Sequence, residues 1–113
     1  MELTFRKRGT DMIFRPLGTI QQADLAKLRD AVAKVYELSS EMASLKVELT
    51  GAAHIPDDTL GILAEWYSEC RRDGVPLRFV HVPRASRERF MERGIFDVDF
   101  DDERGANEVP IVV

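Results

Sequence analysis

One short loop gathers most of the side chains that could do chemistry: His54-Ile55-Pro56-Asp57-Asp58-Thr59. Before it, Leu45, Val47 and Leu49 alternate with Lys46, Glu48 and Thr50, the period of a half-buried strand. After it, Leu60, Leu63, Tyr67 and Cys70 recur at helical spacing. A strand that turns into a helix start is where α/β proteins place a ligand, a phosphate or a partner. Here the turn carries two carboxylates, not the glycines and lysine that cradle a phosphate. The loop therefore points away from nucleotide chemistry and toward a docking or switch surface.

Asp57 and Asp58 suit a helix N-terminus, as a cap and as partners of the macrodipole. Adjacent residues at a helix start diverge, so the two do not form an acid/base pair. Thr59 is the hydroxyl of the turn, either a displaced kinase target or a group bonded to backbone in the first helical turn. Ile62 and Trp66 lie four apart, beside the Leu60–Leu63–Tyr67 stripe. A stripe that wide signals deeper burial of the helix or an apolar patch for a partner.

Other groups hold less chemistry. Arg84, Arg87, Arg89 and Arg93 alternate with Glu88 and Glu92, a solvated face or a patch for an acidic partner. Asp97, Asp99, Asp101, Asp102 and Glu108 approach a calcium loop, but Asp102 stands where that loop needs glycine. An acidic edge that discourages strand aggregation accounts for the run as well. Cys70 falls on the apolar stripe as a small buried hydrophobe. His54 and His81 are too isolated to serve as metal ligands, and no cofactor is implied.

The elements that must position the loop read as follows. Leu3 and Phe5, then Met12, Phe14 and Leu17, form two strands joined at Gly9-Thr10-Asp11 as a hairpin. Thr19 is placed to cap a helix that carries Leu25, Leu28, Val32 and Val35, widened by Ala31 and Tyr36 and ended by Ser39-Ser40. Strand Leu45–Leu49 follows, then a helix from Asp58 to Arg72, closed by Gly74. Leu77 to Val82 form a fourth strand, Arg87 to Arg93 a short helix stopped by Gly94, and Phe96, Val98 and Phe100 a last strand. The order ββαβαβαβ predicts an α/β fold: a mixed sheet, partly parallel, with helices packed against it and joined by right-handed crossovers. One domain over residues 1–113 is expected, with the role of 102–113 open.

Composition bounds the partners. A net charge of −4 over 113 residues argues against nucleic acid. A single cysteine fits a reducing cytoplasm. The first residues show no apolar signal core, and no segment approaches the ~18 apolar residues of a membrane helix.

Together these segments resemble the STAS domain of bacterial anti-sigma-factor antagonists. The likeness runs over about residues 3–96. It rests on Leu17-Gly18 before the first helix, on Leu45 to Ala53, on Pro56-Asp57-Asp58-Thr59-Leu60-Gly61-Ile62-Leu63, and on Arg71 to Pro83. The resemblance implies a non-catalytic signalling module that binds a protein through Pro56, Asp57, Asp58, Thr59, Ile62 and Trp66. In the family a switch-protein kinase of the anti-sigma type phosphorylates a loop serine and so breaks the complex. That serine falls on Asp57, its preceding aspartate on Pro56 and the loop glycine on Thr59. The family's long C-terminal helix is not evident after Gly94. Two alternatives accompany this reading: an accessory subunit packed on the ATPase of an ABC-type transporter, and a small metal-dependent or acid/base enzyme.

Overall fold

A computed structural model describes residues 1–38, 44–49 and 55–100. Ser39-Ser40, His54 and the acidic run beyond Phe100, with Asp101, Asp102 and Glu108, lie outside the described residues. The elements are β1 (Glu2–Arg8), β2 (Asp11–Leu17), α1 (Asp24–Leu38), β3 (Ser44–Glu48), α2 (Asp57–Arg72), β4 (Leu77–Val82), a 3-10 turn (Arg84–Ser86), α3 (Arg87–Glu92) and β5 (Val98–Phe100). The strands lie in the order β1-β2-β3-β4-β5. β1 and β2 are antiparallel; every later neighbour is parallel.

Gly9 opens the hairpin turn at φ +63° while Thr10 stays at negative φ. That is the chemistry of a two-residue type II′ turn, whose twist matches the strands. Each later parallel pair needs a helical crossover. Strands laid down in sequence order by crossovers of one hand receive all their helices on one face. The core follows this rule. Phe14, Leu45, Val47, Leu77, Phe79 and Val82 face the helices, and Leu25, Leu28, Val32, Val35, Leu60, Leu63, Tyr67 and Cys70 meet them. The opposite face is a lattice of charges, with Arg6 on Glu48, Lys46 on Asp11 and Arg78 on Asp99.

Two helix starts differ from the sequence expectation. Thr19 does not cap α1. The chain turns at Gln21, whose N–H donates to Asp24 Oδ2, and the helix begins at Asp24. Asp57 and Asp58 do not cap α2 either. Pro56 occupies the cap, and it makes no side-chain cap hydrogen bond. Tyr36 stands partly exposed at the edge of the α1 stripe.

β4 contains an irregularity. His81 has φ +58°, and pairing with β5 shifts between Phe79 and Val82. The extra residue breaks the two-residue alternation and returns Val82 to the core.

Three carboxylates sit below their ordinary values. Hydrogen bonds from Ser44 and Lys46 lower Asp11, that from Arg29 lowers Glu69, and that from Arg78 lowers Asp99. A carboxylate held low when folded favours the fold at neutral pH, and its contribution fades as acid protonates it. Thermal melts should therefore lose midpoint most steeply below about pH 4. A midpoint that rises on acidification through that range would contradict these pairings.

Candidate functional site at the start of α2

β3 leads to the site and α2 leaves it. Ile55, just before the cap, and Leu60, four residues after it, are both buried in the core. These are the positions of a hydrophobic staple, which fixes the angle at which a chain enters a helix. Pro56 supports the entry, since a cap residue's N–H has no helical partner to lose. Its carbonyl accepts the first helical bond, from Leu60 N–H at 2.9 Å.

This entry throws Asp57 outward. Its side chain is 77% exposed, yet it is not alone: Arg89 Nη2 of α3 donates to Asp57 Oδ1 at 2.6 Å. Arg89 is itself largely covered, with 26% of its side chain exposed. The covered guanidinium and the outward carboxylate form a charge-assisted contact across two elements. Asp58, next along, is exposed. The corner is therefore acidic with a built-in cation beneath it.

A second arginine lies on the same turns. A Cβ added at Gly61 would stand 3.2 Å from Arg93 Nη1. Glycine inside a helix costs about 0.8–1 kcal/mol against alanine. At this position it leaves room for the Arg93 guanidinium against α2.

The remaining expected residues are not at the surface. Thr59 is buried, and its hydroxyl donates to the Ile20 carbonyl at 3.4 Å, tying α2 to the approach to α1. The expected bond to backbone within the first helical turn is not the one formed: the acceptor lies in the segment before α1, which packs over the start of α2. Ile62 is 5% exposed and Trp66 1%. Neither presents a side chain to a neighbour, which corrects the docking role that the resemblance gave them. The reason is the central place of α2, which links the middle strands and has α1 beside it. Trp66 meets Phe79 edge-on at a centroid distance of 6.3 Å, and Phe79 also contacts Tyr67 and Phe90. Along the α1–α2 seam, Arg29 grips both oxygens of Glu69 at 2.7 Å.

Arg89 is the site residue that sequence reasoning missed as such. The basic run on α3 was visible, but nothing in it singled out the one arginine aimed back at Asp57, 32 positions away. The acidic run is partly spent within the fold. Tyr67 donates to Asp97, and Arg78 donates to Asp99. Cys70 is buried, and its thiol is pushed up to about 11, chiefly by burial. Among the described residues no group of histidines, cysteines and carboxylates is placed to hold a metal ion. Among the described residues no helix is long and apolar enough to cross a membrane.

No protein-family model matches the chain, and no curated protein matches it in sequence. Solved structures do match in fold. An RsbS from Moorella thermoacetica carrying a serine-to-glutamate substitution superposes with a TM-score of 0.67 at 10% identity, over 99% of this chain and 97% of that one. The Bacillus cell fate determinant SpoIIAA, in its phosphorylated form, gives 0.59 at 9% identity, over 96% and 99%. The protein TM1081, solved by NMR, gives 0.63 at 12% identity, over 98% and 89%. The mixed five-stranded sheet with its helices is thus the fold of these solved structures, and the resemblance seen in the sequence holds at the level of fold.

Proposed function

We propose that this chain is a non-catalytic, cytoplasmic signalling module that binds a protein partner through the corner of Pro56, Asp57 and Asp58. The partner is a switch-protein kinase of the anti-sigma type. The observation that carries this reading is Asp57 itself: a carboxylate at the start of α2, turned outward, and held by Arg89. It stands where the resembling family has its regulatory serine. Phosphorylation acts by placing about −1.5 to −2 charges and strong acceptor oxygens at one point. Asp57 carries a single charge there permanently and is already held by Arg89, so it belongs to the resting surface that the partner reads and is not the added charge that breaks the family's complex. One similar structure is a phosphorylated form and another carries glutamate in place of serine, which supports a fold that accommodates added negative charge.

With Asp57 in place, the Pro56–Thr59 turn offers no accessible hydroxyl, because Thr59 is buried and bonded. Incubation with an anti-sigma-type switch kinase and ATP should leave this turn unmodified by intact mass and peptide mapping. A phosphate mapped between Pro56 and Thr59 would overturn the reading.

A further inference from the structure

The outer edge of β1 and the groove beside it are unexplained by the docking corner, which lies toward the other side of the sheet. β1 is a seven-residue edge strand without proline, and its pairing with β2 runs unbroken from Glu2 to Arg8. Among the described residues it has a neighbour on one side only. The two-residue hairpin makes Arg8 and Asp11 its closing pair. In such hairpins the closing pair exchanges backbone bonds, and alternate pairs along the ladder do the same. Glu2, Thr4, Arg6 and Arg8 therefore spend their N–H and C=O groups on β2. Leu3, Phe5 and Lys7 point theirs outward. Pro16, which has no N–H, stands opposite Leu3, as that alternation requires.

The side chains at this edge are unusual as well. Phe5 is 61% exposed, although its ring lies 5.9 Å from that of buried Phe14. It lines an open groove of about 570 Å³ with Met1, Leu3, Ala31 and the stems of Lys27 and Lys34. A long edge with outward backbone groups and an exposed aromatic is a template for another strand.

We propose that a second copy of this chain covers this edge, its β1 pairing antiparallel with the first about a two-fold axis through Phe5. Charge decides the occupant. In that register Glu2 faces Arg8 of the second copy, Leu3 faces Lys7, Thr4 faces Arg6 and Phe5 faces Phe5. Opposite charges meet, and no like charges stand directly across. Arg6 is already neutralised by Glu48 at 3.3 Å, which weakens its repulsion toward its own copy. Sliding by two residues, which moves the axis to Arg6 so that Arg6 faces Arg6, sets like charges together, which destabilises a strand pair. Sliding the other way leaves Lys7 and Arg8 without strand partners. The favoured register uses the whole strand and gives on the order of six backbone hydrogen bonds from Leu3, Phe5 and Lys7. The exposed Phe5 rings meet at the axis, where aromatic pairs add to a sheet. The interface is isologous, as a two-fold pair must be. It joins two sheets into one and leaves both α2 corners at outer positions.

Light scattering of the full chain across a wide concentration range should show a mass rising toward twice 12.9 kDa. Arg8→Glu places Glu2 opposite a carboxylate and should return the mass to that of one chain. Glu2→Arg with Arg8→Glu restores opposite charges and should restore the dimer, a rescue that mere loss of folding does not give. Phe5→Cys provides the register. Residues directly opposite in an antiparallel pair have Cα atoms about 4.5–5.5 Å apart, within disulfide reach. Under mild oxidation Phe5→Cys should cross-link, and Lys7→Cys, displaced along the strand from its own copy, should not. Cys70 is buried and does not compete. A chain that stays single at every concentration, or Lys7→Cys cross-linking as readily as Phe5→Cys, would overturn the proposal.

Discussion

Trp66→Ala is expected to lower the stability of the fold by about 3–5 kcal/mol, the range for removing a buried aromatic. Whole domains are stable by only about 5–15 kcal/mol, so this one change takes a large share. Trp66 is 1% exposed and contacts Phe79, which Tyr67 and Phe90 also contact. Its loss would open a cavity where α1, α2 and the sheet converge. Trp66→Phe should behave differently. It keeps an aromatic ring against Phe79 and removes a buried indole Nε1 that no group among the described residues accepts from. A buried unpaired donor costs about 1–3 kcal/mol, so its removal offsets part of the lost packing. Urea titrations followed by circular dichroism would compare the three proteins. A Trp66→Ala midpoint equal to the parent's would mean that the residue lies outside the core. Any binding defect in Trp66→Ala is then to be read through its stability and not through contact with a partner.

Charge reversal at the corner is expected to do the opposite: little to the fold and much to binding. Asp57→Lys places a cation against Arg89 at a position whose side chain is mostly in water. Exposed ion pairs contribute about 0–1 kcal/mol, so the unfolding midpoint should move little. At an interface, like charges set together cost several kcal/mol, so partner affinity should fall at least about tenfold. Arg89→Ala separates the two parts of the corner. It keeps the Asp57 carboxylate but frees it from α3. If the pair acts as one docking unit, Arg89→Ala weakens binding as well; if only the negative charge counts, binding stays or tightens. Titration calorimetry beside thermal melts of the same variants distinguishes these outcomes.

The elements were legible because their periods were clean. Phe14, Leu45, Val47 and Phe79 alternate along their strands, and Leu25, Leu28, Val32 and Val35 repeat along α1, so the mixed α/β sheet and its helix-bearing face follow from pattern. Helix starts were less legible. Thr19 is a good cap by type, but Asp24 receives the Gln21 N–H and begins the helix. At α2, the aspartates looked like caps until Pro56 proved to hold that position, set there by Ile55 and Leu60 packing into the core. A width of stripe cannot say whether Trp66 faces a partner or a neighbouring helix. Only the placement of α1 beside α2 decides that, and it is a property of the whole sheet. The Asp57–Arg89 contact lay beyond the sequence for the same reason. It joins two helices through the β4–α3 connection, and local spacing carries no record of it. The bulge at His81 was hidden too, since the residues Leu77 to Val82 read as an uninterrupted strand.

The most direct measurement is calorimetric binding of this chain to a purified anti-sigma-type switch kinase, before and after prolonged incubation with ATP, for the parent and for Asp57→Lys. Binding by the parent that survives ATP, and is lost in Asp57→Lys without a change in melting temperature, is the expected result. Binding that ATP abolishes, or that Asp57→Lys leaves intact, would contradict a docking corner whose charge is built into the chain.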